Sequence, residues 1–117
     1  MNITRIEPGK RLSEATVHNG TVYLAGQIAA DTAADMYGQT VQVLASIDKL
    51  LAAAGSSKSH MLSCTLYVTD MRLFPEMNRA WDAWVDAAAL PARATVEAKL
   101  ATPAHLVEIQ VIAALAK

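Results

Sequence analysis

Apolar and polar residues alternate along three stretches of this chain, and this alternation constrains its fold more than any other feature. The stretches are residues 61–69, 93–100 and 106–114. A period of two is the spacing of side chains on one face of an extended strand, so each stretch predicts a β-strand with one buried face. The second half of the chain is therefore predicted to contribute three strands to a sheet.

Two further strands are predicted near the start of the chain. Residues 13–18 and 21–25 are short extended runs, and Asn19-Gly20 separates them. This dipeptide favours the tight turn of a two-residue hairpin, because both of its residues tolerate a positive φ. The sequence therefore predicts that the chain opens with a β-hairpin.

An amphipathic helix is predicted over residues 35–54, where apolar side chains recur every three or four positions. These apolar positions are Val41, Leu44, Ile47, Leu51 and Ala54, while Gln39, Gln42 and Lys49 fall elsewhere on the helical wheel. Two residues compete to cap the start of the helix, namely Thr32, which forms a capping-box pattern with Asp35, and Asp35 itself. Gly55 is placed to end the helix in a left-handed conformation.

A second helix is predicted to begin near Pro75, which the first turn of a helix tolerates, and to run to about Ala88. Apolar side chains recur at helical spacing at Met77, Trp81, Trp84, Val85 and Ala88. The large rings of the two tryptophans are expected to pack against the sheet.

The predicted order of elements is β-β-α-β-α-β-β, which indicates an α+β fold with one mixed sheet and two helices on one of its faces. No predicted element is left to cover the opposite face. That face would carry a semi-polar set of side chains suited to a subunit interface or a cleft beside one. The set comprises Arg93, Thr95, Glu97, Glu108 and Gln110.

The composition favours one domain that associates with copies of itself. The chain has 117 residues, and we treat residues 1–117 as a single domain. Hydrophobic residues make up 53% of the chain and charged residues only 18%, which leaves little polar surface to cover an isolated molecule. We therefore expect a homo-oligomer.

The charge pattern argues against nucleic acids and membranes as partners. Ten basic and eleven acidic residues give a net charge of −1, which builds no field for a polyanion. No apolar run approaches the roughly 20 residues of a membrane span, and residues 1–11 lack an apolar signal region. With Cys64 as its single cysteine, the chain is expected to reside in the reducing cytoplasm.

Arg93 and Glu108 are the first candidates for a functional site, because the alternation places both on the uncovered face near the starts of the last two strands. A guanidinium can hold a carboxylate through two parallel hydrogen bonds, and a nearby carboxylate can position or deprotonate a water. The alternative is an ion pair across neighbouring strands, which is an ordinary contact on a sheet. The strand spacing alone leaves both interpretations open.

Other reactive side chains form no recognisable site. Cys64 alternates with Leu66 and Val68 on an apolar face, so it is expected to pack in the core. The three histidines are scattered without metal-ligand spacing, and no metal site is expected.

Several short segments carry a family resemblance. Residues 25–28 (AGQI), 90–96 (LPARATV) and 107–109 (VEI) resemble the RidA family, also called the YjgF or RutC-like family. Residues 17–21 (VHNGT) and 77–85 (MNRAWDAWV) are similar to the YoaB branch of that family. The resemblance runs over nearly the whole chain.

The resemblance implies a chorismate-mutase-like α+β fold of the bacillus type. Such chains assemble as homotrimers whose sheets form a central barrel with the helices outside, and three clefts between subunits hold the sites. Members like RidA hydrolyse reactive imines and enamines, such as 2-aminoacrylate released by pyridoxal-phosphate enzymes, to 2-oxo acids and ammonia. They use neither a metal nor an organic cofactor, so none is expected.

The resemblance also implies roles for individual residues. Arg93 matches the arginine that binds the substrate carboxylate, and Glu108 matches the glutamate that orients the attacking water or transfers a proton. Asn78 matches an asparagine near the ligand cleft, although a polar position on the helix surface is the alternative. Gly26 matches the cleft glycine, which allows close backbone approach to a ligand, although a turn glycine at a strand end is the alternative.

Two positions depart from the archetypal members of the family. Arg11-Leu12-Ser13 stands where those members have Gly-Pro-Tyr, so no aromatic hydroxyl is supplied by Leu12 or its neighbours. Thr95 stands where those members have cysteine, and its backbone N–H can still point at a ligand oxygen. Both departures leave the carboxylate contact intact and bear on the substrate range.

Two functions compete with the deaminase. A non-catalytic protein that binds small carboxylates or 2-oxo acids in the same cleft would need Arg93 but would tolerate Glu108→Gln. An endoribonuclease, the activity with which some relatives are labelled, would need a basic groove and a histidine pair for acid–base cleavage of RNA, and the sequence offers neither. The sequence therefore favours an imine and enamine deaminase.

Overall fold

A computed structural model describes residues 2–116 of the chain. Within that range the backbone forms six strands and two α-helices, with two short 3-10 turns at Lys58–His60 and Met71–Leu73. In chain order the elements are β1 (Thr4–Pro8), β2 (Ser13–His18), β3 (Thr21–Leu24), α1 (Met36–Ala54), β4 (Met61–Val68), α2 (Phe74–Trp84), β5 (Ala92–Glu97) and β6 (Val107–Ala114). The predicted α+β class is confirmed.

The strands form one mixed sheet in the order β1-β2-β3-β6-β4-β5. Neighbouring strands are antiparallel except β4 and β5, which run parallel. Parallel neighbours require a crossover connection, and α2 supplies it. The sheet is mixed, as predicted, with β1 and β5 as its two edge strands.

The sequence pattern does not predict the strand β1, because four of its five residues are exposed and it ends in a proline. It pairs with β2, where Ile6 lies opposite Ala15, and so precedes the predicted hairpin of β2 and β3. Asn19 and Gly20 have φ values of 52° and 77°, as a tight hairpin turn requires. The hairpin is confirmed, and the prediction that the chain opens with it is wrong.

Both helices pack on one face of the sheet, and the core lies between the two layers. The sheet contributes Cys64, Leu66, Val68, Val107, Ile109 and Val111, and the helices contribute Val43, Leu44, Ile47, Leu51, Met77 and Trp81. The strand residues are the ones that the alternation predicts on one face. Their burial supplies most of the free energy that holds the helices on the sheet.

The ends of α1 are fixed by two residues. The carboxylate of Asp35 accepts a hydrogen bond of 2.8 Å from the backbone N–H of Gly38, so Asp35 and not Thr32 is the N-cap. Gly55 follows the helix with a φ of 86°, a left-handed conformation that favours glycine.

The helix α2 ends at Trp84, about one turn before the predicted end near Ala88. Val85 is already extended. The carboxylate of Asp86 accepts a hydrogen bond of 2.9 Å from the backbone N–H of Ala88. In a continuing helix, this N–H would instead donate to the carbonyl of Trp84. The aspartate side chain therefore competes with the helical hydrogen bond and ends the helix.

Gln39 is fully buried, although the sequence pattern places it on the polar side of α1. Its Nε2 donates to the carbonyls of Ala34 and Ala104 at 3.1 and 3.0 Å, and its Oε1 accepts from the N–H of Leu106 at 2.9 Å. The side chain thus ties the start of α1 to the segment that leads into β6. Val41, which the pattern places with the apolar positions, is instead 45% exposed.

Replacing Gln39 with leucine is expected to lower the free energy of unfolding by about 2–3 kcal/mol, because Leu106 N–H loses its partner inside the protein. Urea unfolding followed by circular dichroism measures the change. Gln42→Leu is the matched control, since Gln42 bonds only to the exposed backbone of Asp31. Equal losses in the two variants would contradict this account.

No helix covers the other face of the sheet within residues 2–116. The strand register places Tyr23 and Val96 on this face, where they are 45% and 42% exposed. Large exposed apolar side chains on one surface are typical of an interface. The predicted uncovered face is therefore present.

Candidate functional site

Arg93 lies on β5, the edge strand that runs parallel to β4. It is paired with Cys64, and paired residues on neighbouring strands point to the same face of a sheet. Because Cys64 is buried beneath the helices, Arg93 also points to the helix side. The prediction that Arg93 faces the uncovered side is therefore wrong.

The reason lies in the position of β5 at the edge of the sheet. Alternation identifies the side chains that share a face, but it does not tell which face the helices cover. On β5 the small apolar residues Ala94 and Val96 face the uncovered side, and both are exposed. Thr95 and Glu97 share the helix side with Arg93, so their predicted place on the uncovered face is wrong as well.

The guanidinium of Arg93 lies over two aromatic rings of α2. Its central carbon is 5.2 Å from the centre of the Trp81 ring and 5.7 Å from the centre of the Phe74 ring. The side chain is exposed, and no carboxylate in the described part of the chain forms an ion pair with it. Its N–H groups are therefore available to an anion from outside the chain.

Two buried polar atoms on the same side of the sheet have no hydrogen-bond partner within residues 2–116. They are Oδ1 of Asn78 and Oγ1 of Thr95. Asn78 lies one turn after Phe74 on α2, and Thr95 lies two residues after Arg93 on β5. Buried polar atoms are nearly always paired, so these two atoms indicate a place for a ligand or a bound water.

Glu108 lies on β6 opposite Tyr67 and faces the uncovered side, as predicted. Gly26 approaches it closely. A Cβ at position 26 would lie 2.8 Å from Cδ of Glu108 and would overlap one of its carboxylate oxygens. Any side chain at this position would therefore displace the carboxylate, which gives the glycine a steric role beyond that of a turn residue.

The Glu108 carboxylate borders a cavity of about 330 Å³. The cavity is lined by Gly26, Tyr67, Ala98, Lys99, Leu100, Glu108 and Gln110. Tyr67 and Lys99 were not among the predicted site residues. The alternation along residues 61–69 does place Tyr67 on this face. The alternation along residues 93–100 places Lys99 on the same predicted face as Arg93, although β5 ends at Glu97, before Lys99.

The predicted site residues thus form two groups on opposite sides of the sheet. The helix side holds Arg93, Asn78 and Thr95, and the uncovered side holds Gly26 and Glu108. Because β4 separates β5 from β6, an ion pair between Arg93 and Glu108 across neighbouring strands is also excluded. A single copy of the chain does not bring the two charged groups onto one face.

Cys64 lies beneath Arg93 and is unreactive. Burial raises the pKa of its thiol to about 12, and the positive charge of Arg93 offsets this only in part. A thiol with so high a pKa stays protonated at neutral pH and is a poor nucleophile. The prediction that Cys64 packs in the core is confirmed.

Leu12, in the segment that stands where archetypal members have Gly-Pro-Tyr, lies in the turn between β1 and β2. It is 55% exposed, and its carbonyl accepts a hydrogen bond from the N–H of Gly9. It is not among the residues that line the cavity at Glu108. Within a single copy of the chain, Leu12 therefore does not border the cavity at Glu108.

The described residues contain no cluster of three or more His, Cys, Asp or Glu side chains that could hold a metal ion. Within the same residues, no helix is both long and apolar enough to cross a membrane.

Comparison with known sequences gives consistent matches over nearly the full length. Residues 2–115 match the family model described as Endoribonuclease L-PSP. The chain is 50% identical over 114 residues to a RutC family protein of Haemophilus influenzae, which covers 97% of this chain and 98% of that protein. It is 43% identical over 115 residues to the RutC family protein YoaB of Escherichia coli, with coverage of 98% and 100%.

Comparison with solved structures gives the same result. A member of the YjgF protein family from Neisseria meningitidis has a TM-score of 0.97 and 43% identity, and the match covers 100% of this chain and 98% of that one. A conserved Rid family protein of unknown function from Yersinia pestis has a TM-score of 0.88 and 30% identity, with coverage of 97% and 100%. The predicted resemblance, including the similarity to YoaB, is confirmed.

Proposed function

Because the chain belongs to the endoribonuclease L-PSP family, together with the RutC family proteins that it matches, we propose that it is a cytoplasmic imine and enamine deaminase. Its substrates are 2-imino and 2-enamino acids, and its products are 2-oxo acids and ammonia. The observation that carries the proposal is the exposed guanidinium of Arg93, which has no carboxylate partner in the described chain. Every such substrate bears a carboxylate that this group can hold.

Arg93 binds the substrate carboxylate through two parallel N–H···O hydrogen bonds. This contact fixes the carbon next to the carboxylate, which is the carbon that water attacks. The unpartnered Oγ1 of Thr95 and Oδ1 of Asn78 support the proposal, because each can hydrogen-bond a polar atom of a bound acid. Arg93 therefore acts mainly by orientation.

Glu108 orients the attacking water and transfers its protons. The oxygen of water adds to the imine carbon while Glu108 takes one of its protons and passes it to the nitrogen, so the C=N double bond becomes a single bond to an amine. The carbon–nitrogen bond then breaks as Glu108 relays the remaining hydroxyl proton to the nitrogen, which leaves as ammonia, and a carbonyl remains. An enamine first takes a proton at its outer carbon and loses one from its nitrogen to become the imine. The reaction consumes only water, so we expect no cofactor.

The two groups of residues meet between copies of the chain in a homotrimer. Their positions on opposite sides of the sheet support this arrangement, since a cleft between copies can join the helix side of one edge strand to the uncovered face of another. The exposed Tyr23 and Val96 provide apolar surface for packing the uncovered faces together as a central barrel.

The separation of Arg93 from Glu108 also favours one second candidate, a protein that binds small carboxylates or 2-oxo acids without catalysis. Arg93 alone suffices for such binding, and Glu108 would then have no chemical task. The two functions differ in their response to Glu108→Gln, which removes the proton acceptor and keeps the size of the side chain.

An amino-acid oxidase that generates 2-imino acids provides the test. The wild-type protein is expected to accelerate loss of the imine and release of ammonia, and Glu108→Gln is expected to lower that rate about a hundredfold or more. Glu97→Gln is the matched control, because Glu97 lies on the helix side and accepts a hydrogen bond from the backbone of Met71. No acceleration by the wild-type protein, with 2-oxo acids still bound, would establish the second candidate instead.

A further inference from the structure

We infer that Trp81, assisted by Phe74, positions the guanidinium of Arg93 and thereby sets the affinity of the site for the substrate carboxylate. This inference rests on the proposed function, in which Arg93 binds that carboxylate. It assigns a task in the site to α2, whose tryptophans the sequence pattern assigns only to packing. We call the pair of rings, Phe74 and Trp81, the aromatic ledge.

The ledge is a product of helical spacing. Phe74 and Trp81 are seven residues apart, so they lie on one stripe of α2 about two turns from each other. Both rings lie within 6 Å of the Arg93 guanidinium carbon, which is the range of a cation–π contact. The side chain of Arg93, on the edge strand, thus contacts two rings that lie about two turns apart on α2.

The ring of Trp81 is held in place by the side chains that pack around it. Trp81 is only 5% exposed, and its ring packs against that of Trp84 with a distance of 5.7 Å between ring centres. The indole N–H of Trp84 donates to the carboxylate of Asp48 on α1 at 2.8 Å, and Lys58 lies over the same ring. The position of Trp81 is therefore supported by contacts that reach both helices.

Stacking and ion pairing differ in whether they occupy the N–H donors of a guanidinium. A ring contacts the flat face of the group, while the N–H donors point outward in its plane and stay free. An ion pair instead occupies those donors. Arg72 is held in the second way, by Asp70 at 2.7 Å. Arg79 is held in both ways, since its guanidinium carbon lies 3.9 Å from the centre of the Tyr37 ring and the group also pairs with Glu76 at 2.8 Å.

Arg93 is held in the first way only, as far as the described chain shows. Its side chain projects from an edge strand and is exposed, so without the ledge it would sample many rotamers. Binding a carboxylate would then cost the entropy of ordering that chain. Because the ledge orders the Arg93 side chain before the substrate binds, it reduces this entropic cost of binding. It also leaves the N–H donors of the guanidinium free.

The test compares two substitutions of the same ring. We expect Trp81→Leu to raise KM for 2-imino acids about tenfold with kcat nearly unchanged, and Trp81→Phe to raise it only about two- to threefold because a π face remains. Thermal unfolding and the oligomeric state are measured for each variant. If Trp81→Leu does not fold, Phe74→Leu and Trp81→Phe take its place and are expected to raise KM in the same direction.

Val22→Ala is the matched control, because Val22 is buried in the core on β3, which β6 and β4 separate from Arg93 on β5. It is expected to lower stability by leaving a cavity while leaving KM unchanged. A KM that follows stability across all variants, including Val22→Ala, would overturn the inference, since the effect would then be a general loss of packing.

Calorimetric binding of pyruvate, a small 2-oxo acid, separates this inference from the proposed function. Weaker binding in both Arg93→Ala and Trp81→Leu supports the ledge, even if no variant hydrolyses imines and the deaminase proposal fails. Binding lost in Arg93→Ala but unchanged in Trp81→Leu would overturn the ledge and leave the deaminase proposal standing.

Discussion

Replacing Arg93 with alanine is expected to lower kcat/KM for 2-imino acids at least about a hundredfold, which corresponds to a loss of about 3 kcal/mol. The substitution removes both hydrogen bonds to the substrate carboxylate and the positive charge that attracts it. The fold should remain, because Arg93 is exposed on an edge strand and loses only its contacts with two rings, worth about 1 kcal/mol. Steady-state kinetics and thermal unfolding measure the two effects separately.

Arg72→Ala is the matched control for that experiment. Arg72 has an exposed side chain that pairs with Asp70 on the surface, and such pairs contribute little to stability. Its removal should leave kcat/KM within about twofold of the wild type. Full activity in Arg93→Ala would show that the substrate carboxylate is bound elsewhere.

Replacing Gly26 with alanine is expected to reduce kcat nearly as far as Glu108→Gln does, again by about a hundredfold. The new Cβ would overlap the Glu108 carboxylate, and the atoms that must move belong to the end of a flexible side chain. The carboxylate should therefore swing away from its place in the cavity while the backbone stays folded. Kinetics at saturating substrate, with circular dichroism as the check on folding, measure the loss.

Gly9→Ala provides the control for this steric argument. A Cβ at Gly9 would meet only the carbonyl oxygen of Leu12, at an ordinary contact distance of 3.6 Å. That variant should retain wild-type kcat. If Gly26→Ala is equally active, the carboxylate of Glu108 does not need the position that the structure gives it.

Local signals in the sequence predicted much of the fold. The Asn19-Gly20 pair adopts the positive φ values that a hairpin needs, Gly55 ends α1 in a left-handed conformation, and alternation identified the buried faces of β4 and β6. Each of these features depends on a few adjacent residues. Alternation singled out Arg93 and Glu108 but did not distinguish them from ordinary surface charges. The family resemblance then gave them roles and added Gly26 and Asn78 as candidates.

Features that depend on distant parts of the chain were not predictable in this way. The side of the sheet to which Arg93 points is set by the pairing of β5 with β4, and the strand's own pattern of small apolar residues suggested the opposite side. Gln39 is polar, yet it is buried because two of its partners, Ala104 and Leu106, lie more than sixty residues away in sequence and close over it. Tertiary contacts override the local pattern at both positions.

The central claim is that Arg93 of one copy and Glu108 of another form one site, and mixing two inactive variants tests it most directly. Arg93→Ala and Glu108→Gln are unfolded, combined in equal amounts and refolded together, with each variant refolded alone as the control. In a randomly mixed trimer, a site between two copies regains both residues wherever the intact halves meet, so about a quarter of all sites should be restored. The account predicts imine hydrolysis at about a quarter of the wild-type rate in the mixture and about a hundredth or less in either parent. A mixture that refolds into trimers and remains as inactive as its parents would contradict it.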